Sequence, residues 1–259
     1  MKSKYPVLLV HGIILKDTFF FKAFGKIPNV LREEGFCVYC SRNDGVGTIE
    51  NNAKQLKQQI KEILQKEKTE KINIIAHSKG GLDCKYMIQN LNMEDKVASL
   101  TTICTPHRGS QLASAILRWP KWILIISSTC INLCYKIIGD KKPNVLKACN
   151  QLKAVSKIED STIAFSEKIY CQSYSSILEK STDDMLMTIP YIILKKYDKN
   201  KLDGMVSDTS AQFGEYKGVC VNGSISHTEI VDLMTNENEK TQVYEFYREI
   251  CNDLSKQGF

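Results

Sequence analysis

Residues 74–81 read IIAHSKGG, and this octet decides the fold. The run KINIIA leading into it is short, apolar and β-branched, the pattern of a strand buried on both faces. Gly80 and Gly81 then open a segment with helical spacing. Strand, sharp turn and helix joined through small-His-Ser-x-Gly-Gly make a nucleophile elbow. Small residues on either side let the chain turn tightly enough to hold the serine strained, with its hydroxyl exposed. Ser78 is therefore the candidate nucleophile, and Ala76, where a glycine is usual, is small enough for the turn.

Outward from the octet, strands and helices alternate. YPVLLV reads as a buried strand ending at His11 and Gly12, and the pattern predicts a helix over residues 18–34, closed by Gly35. FCVYC is the next strand. Thr48 is placed to cap a helix running to about residue 66, with Ile49, Ala53, Leu56, Ile60, Ile63 and Leu64 at helical spacing. A helix over residues 79–90 and the strand VASLTTICTP follow. This rhythm predicts an α/β fold: a mostly parallel sheet with helices on both faces and its ligand site beyond the carboxyl ends of the strands.

After Ser110 the rhythm breaks. Residues 112–138 are bulky and apolar, with Trp119 and Trp122 among them, but are interrupted by Arg118, Pro120, Lys121 and Lys136. The uncharged stretch 122–135 is 14 residues long, short of the roughly 20 that span a bilayer. The rhythm resumes near KIYCQSYS. The expected organisation is one domain, with residues 1–110 and 168–259 as its core and residues 111–167 inserted over the carboxyl end of the sheet. YIILKKY is predicted as a further strand, and EKTQVYEFYREICNDL as an amphipathic helix packed back on the sheet.

A serine hydroxyl needs a histidine base and an acid that orients it. Of the four histidines, His11 and His77 belong to the strand ends and His107 to the turn TPHRGS, which leaves His227 in SISHTEI as the base. The elbow is followed in chain order by acid and then histidine. Asp203 in KLDGMVS, 24 residues before His227, is the candidate acid, with Asp208 as the alternative. Backbone donors for a developing oxyanion are expected from the residue after the nucleophile, Lys79, and from Ile13 in VHGII.

Composition sets the outer limits. The 259 residues are 43% apolar and 25% charged, which excludes collagen-like, mucin-like and disordered chains. The net charge of +6 is interleaved with acids, as in KQLKQQIKEILQKEKTEK, so it reads as a solvated face with a weak attraction to anionic surfaces; no nucleic-acid partner and no obligate protein partner is expected. MKSKYPVLLVHG has too short an apolar run for an export signal, so the ten cysteines are expected as free thiols in a cytoplasmic protein. Cys37 and Cys40 form a CxxC inside a strand, with no second pair to complete a zinc set.

Together YPVLLVHGI, IIAHSKGGLDCKYMI, TICTPHRGS, LDGMVS and SISHTEI resemble the bacterial triacylglycerol lipase family of α/β-hydrolases, in the same order and at comparable spacing. The resemblance covers about residues 4–110 and 168–233. It implies Ser78, Asp203 and His227 as the triad, Ile13 and Lys79 as oxyanion donors, and a helical lid over residues 111–167. Trp119 and Trp122 would then contact substrate beneath the lid, or serve as core. Many members hold a structural calcium; here Asp183 or Asp184 and Glu229 are the candidate ligands, with Leu233 where a further polar ligand is common. No other cofactor is implied. The Lys79 side chain is expected in solvent, where it would favour acids or anionic head groups.

Two classes of function follow. One is a serine hydrolase of lipid or other acyl esters, with contact to a membrane or micelle surface. Lipase, phospholipase, thioesterase, amidase and acyltransferase share its machinery. The other is a non-catalytic lipid-binding protein on the same fold.

Overall fold

Val7 and Leu9 of strand β1 (Val7–Val10) pack on one side of the sheet with Leu31 and Phe246, while Leu8 and Val10 pack on the other with Leu56 and Met87. Alternation with every residue buried is what a strand covered on both faces requires. The computed structural model describes residues 2–18, 21–154 and 169–259. With β2 (Val38–Cys40), β3 (Ile72–His77), β4 (Val97–Ile103), β5 (Tyr170–Ser175) and β6 (Glu215–Val219), β1 forms one parallel sheet in the order β2-β1-β3-β4-β5-β6. Helices α1 (Ile27–Glu33) and α9 (Glu237–Lys256) cover one face; α2 (Ile49–Glu67) and α3 (Lys79–Asn90) cover the other. Thr48 caps α2 as expected, its hydroxyl accepting from Asn51 N at 3.3 Å.

Three elements differ from the sequence reading. The first helix begins at Ile27 rather than at residue 18, because Thr18 closes a local turn with Phe21 and Gly25 takes φ +43° just before α1, whose first turn holds Pro28. YIILKKY is mostly helix, α7 (Thr188–Lys195), not strand. Periodicity cannot separate the two for a short apolar run, and Pro190 sits in the first helical turn, where no intrahelical N–H is needed. The strand that does follow is β6, EYKGV, a largely exposed edge with no apolar signature.

The insertion between β4 and β5 contains α4 (Gln111–Ile116), α5 (Lys121–Ile137) and α6 (Val145–Ala154); residues 155–167 of the expected lid lie outside the described residues. Its two flanking helices belong to the core: Ala113 of α4 and Leu152 of α6 pack with Ile49, Leu82 and Ile13. Helix α5 has no buried residue. It is tied down beyond its C-terminus by two reciprocal carboxylates. Asp140 accepts from Gly45 N and Val46 N, both at 3.0 Å, and Asp44 accepts from Lys141 N at 2.8 Å and Lys142 N at 2.7 Å. Among the described residues no helix is long and apolar enough to cross a membrane, and the ten cysteines are free.

Candidate active site

Ser78 joins β3 to α3 with φ +53° and ψ −131°, the strained backbone that the elbow reading anticipates. Its N–H donates to Ile103 O at 2.9 Å, and its carbonyl accepts from the Thr105 hydroxyl at 2.8 Å, so the end of β4 holds the turn from both sides of the serine. A Cβ on Gly80 would stand 2.6 Å from His11 O, which explains the glycine: the start of α3 presses on the end of β1.

His227 Nε2 lies 2.9 Å from Ser78 Oγ, and its Nδ1 lies 2.7 Å from Asp203 Oδ2. The candidate nucleophile, base and acid thus form one buried hydrogen-bonded chain. Asp203 is itself fixed, because Oδ1 accepts from Met205 N at 2.8 Å and Val206 N at 2.7 Å across a turn that Gly204 enters at φ +107°. His227 N–H returns to Asp203 O at 2.8 Å. The alternative acid, Asp208, accepts from Thr209 N within the short helix α8 (Asp208–Ala211) and does not join the chain. The acid leaves not a strand but the loop after α7.

Burial, the largest single effect, would depress the His227 pKa, but the Asp203 carboxylate on Nδ1 and, after it, Cys104 together outweigh it and the net shift is upward. His77, whose ring centroid is 4.5 Å from that of His227, is driven well below its ordinary value by burial and then by His227, and stays neutral.

Ile14 N–H is committed to Gly45 O at 2.8 Å, which leaves the Ile13 amide without a backbone acceptor among the described residues. Lys79, as the first residue of α3, has no intrahelical acceptor for its N–H. Both amides thus have no backbone acceptor of their own among the described residues. The Lys79 side chain is not in solvent: it is 1% exposed, and its Nζ pairs with Asp83 Oδ1 at 2.6 Å. Asp83 Oδ2 accepts from Asn52 Nδ2 at 2.8 Å. The residues KGGLD place the two charges one helical turn apart against α2, so the pair turns inward.

TPHRGS grips the segment after the acid. His107 N donates to Ser210 O at 2.8 Å, Arg108 Nη1 donates to Thr209 O, and Ser210 Oγ donates to Gly109 O at 2.9 Å. The His107 ring stacks on Phe213 with centroids 4.5 Å apart. Trp119 and Trp122 stand at the surface, 51% and 65% exposed, so neither packs as core.

The candidate calcium ligands are turned towards protein donors. Asp184 Oδ1 accepts from Leu186 N and Met187 N, and Oδ2 from the Ser226 and Thr228 hydroxyls. Four donors fill the four lone-pair sites of a carboxylate. Asp183 Oδ2 accepts from Lys180 N and Ser224 Oγ, Glu229 Oε2 accepts from Ser226 N, and Leu233 packs against the apolar core. A hard cation wanting six or more oxygens does not fit this arrangement. Ser226 and Glu229 in SHTE are instead a capping box, with Glu229 N donating back to Ser226 Oγ at 3.1 Å. The S-x-x-E spacing carried this signal in the sequence. Burial, with Glu239 and Asp184 nearby, pushes the Glu229 carboxyl up to about 7. Among the described residues the one cluster of three metal-ligating side chains is Cys104, Asp203 and His227, and two of these are already hydrogen-bonded to each other.

A family model described as palmitoyl protein thioesterase matches residues 6–175. The chain is 28% identical to triacylglycerol lipase 2 of Saccharomyces cerevisiae over 90% of its own length and 73% of that relative's. It is 33% identical to a triacylglycerol lipase of Vibrio cholerae over 44% of this chain and 36% of that relative. Among solved structures, the mature Bacillus licheniformis lipase matches with a TM-score of 0.67 at 21% identity, covering 88% of this chain and 87% of that one. A metagenomic carboxyl esterase matches with a TM-score of 0.74 at 15% identity, covering 99% and 77%. The fold is that of the α/β-hydrolases, and the enzyme is a carboxylic ester hydrolase. Matched over residues 6–175, the chain belongs to the palmitoyl protein thioesterase family, alongside the lipases of the α/β-hydrolase superfamily.

Proposed function

We propose that Ser78, His227 and Asp203 are the nucleophile, base and acid of a lipase or esterase that cleaves acyl esters of lipids through an acyl-enzyme. The observation that supports this most directly is the single histidine bridging Ser78 Oγ at 2.9 Å and Asp203 Oδ2 at 2.7 Å. Ser78 Oγ attacks the ester carbonyl as Nε2 of His227 takes its proton. Asp203 holds the Nδ1–H tautomer and stabilises the imidazolium that forms. The Ile13 and Lys79 amides receive the oxyanion. The proton then passes to the leaving alcohol, and water, deprotonated by His227, releases the acid.

The exposed helix α5 is proposed as the lid, its apolar side chains the contact to a lipid or micelle surface, while Ala113 of α4 and Leu152 of α6 stay in the core. The family match to palmitoyl protein thioesterase favours a second reading, in which the acyl group is released from a thioester by the same steps. Hydrolysis of p-nitrophenyl esters of increasing acyl length, set beside matched thioesters, separates the two. Ser78→Ala and His227→Ala are each expected to abolish turnover without unfolding the protein, and their losses should not add. Turnover within a few-fold of wild type in either folded variant would remove the assignment.

A further inference from the structure

We propose that Asp184 is a positioning residue for the base. It lies 43 positions before His227 in the chain, and its one carboxylate oxygen, Oδ2, accepts from the hydroxyls of both residues that flank His227. Ser226 Oγ donates at 2.5 Å and Thr228 Oγ1 at 2.8 Å. The other oxygen accepts from Leu186 N at 2.6 Å and Met187 N at 3.3 Å, so the acceptor is anchored before it reaches the histidine turn. The Ser226–Glu229 capping box sets the shape of that turn, and the two hydroxyl bonds fix its position.

Asp184, Ser226 and Thr228 are all buried, and removal of the carboxylate leaves the two hydroxyls only each other, at 3.2 Å, so one O–H loses its acceptor. His227 must meet Ser78 and Asp203 at once, so a shift of its backbone opens one bond or the other. Direct hydrogen bonding does here what a bridging cation would do, and the saturated carboxylate leaves that cation no room. Asp184 touches neither substrate nor the reacting atoms.

The inference rests on His227 being the base. The test uses the full chain with p-nitrophenyl octanoate, counts active sites by end-point fluorophosphonate labelling, and follows the low-field Nδ1–H proton resonance of His227. In Asp184→Ala the kcat per labelled site should fall about 10- to 100-fold, and in the milder Thr228→Val about 3- to 10-fold, with KM nearly unchanged and the proton resonance shifted or broadened. Wild-type activity should be indifferent to EDTA and to added calcium. Unchanged kcat per site in the variants would overturn the proposal, and so would loss of wild-type activity in EDTA that calcium restores. If Asp184→Ala fails to fold, Thr228→Val decides alone. Activity surviving in Ser78→Ala would instead remove the underlying functional reading, whatever the Asp184 variants do.

Discussion

Gly12 lies against Ser78 so closely that a Cβ on the glycine would stand 2.7 Å from Ser78 Cβ and 3.2 Å from its Oγ. The end of β1 therefore presents bare backbone to the nucleophile, and the Ile13 amide follows directly. Gly12→Ala should lower kcat/KM by at least about 100-fold, because a methyl group there displaces the hydroxyl from His227 and the oxyanion donors alike. Fluorophosphonate labelling should slow in parallel, and thermal unfolding should move down by a few degrees, the cost of the overpacked contact. Labelling at the wild-type rate would show that the two loops part to admit the methyl group.

Asp203→Asn should cost about 10⁴-fold in kcat, since only Asp203 fixes the His227 tautomer, while Asp208→Asn should cost little. The pH profile gives an independent check. His227 acts as a base when neutral, so activity falls as pH drops through its folded-state pKa. Asp203 holds that value above 6.5 against the opposing effect of burial. In Asp203→Asn the acid limb of the residual activity should move to lower pH. A limb that stays in place would mean that another group sets it.

The Lys79–Asp83 pair is buried on both sides, and burial raises the Asp83 pKa while Lys79 and then Asn52 hold it down. Breaking such a pair leaves a charge without compensation, so Lys79→Met should destabilise by about 3–5 kcal/mol in chemical denaturation. Lys79→Met with Asp83→Asn should recover most of the loss. Because Nζ is buried against Asp83, the folded single variant should keep the wild-type ratio of rates on anionic and neutral esters. A changed ratio would return the side chain to a role in head-group selection.

Burial lowers the pKa of His11, His77 and His107. Below their unfolded value of about 6.5 the unfolded chain binds protons that the folded one does not, so each contributes stability at higher pH that is lost as pH falls. His107 is the safest to replace, lying outside the triad. His107→Gln should flatten the slope of unfolding free energy between about pH 5 and 6.5 by up to about 1.4 kcal/mol per pH unit. An unaltered slope would mean that His107 takes up its proton without unfolding.

The parts of this fold that were legible in the sequence are those where one physical demand dominates. Strands β1, β3 and β4 are buried on both faces, β1 as a continuous apolar run and the others as mostly apolar or β-branched segments, and the elbow permits few residues other than those in AHSKGG. Elements set by tertiary context were not. The edge strand EYKGV has little to bury, and TIPYIILK carries β-branched residues into a helix because its neighbours, not its propensity, decide. The burial of Lys79 depended on a partner one turn along the same helix, and the clamp on His227 on an aspartate far back in the chain. The second of these contacts no local pattern could reveal.

The outer face of α5 shows Ile125 and Ile126 each 59% exposed, Leu133 62% and Ile137 76%, with Lys121 and Lys136 at its ends. On α7, Ile189 is also 70% exposed. Burying one such side chain in an apolar phase is worth about 1.5–3 kcal/mol, so α5 alone should draw the protein to a lipid or micelle surface, more strongly if the lipid is anionic. The rate on a medium-chain ester should therefore rise as substrate passes its micellar threshold. Ile125→Glu with Ile126→Glu removes two of these contacts and adds charges that repel an anionic surface, so the rise should disappear while the rate on short, dissolved esters is kept. Co-sedimentation with anionic vesicles should fall in step with the lost rise. If the double variant keeps both the rise and the binding, α5 is not the contact surface, and the exposed helix has to be explained by a protein partner instead.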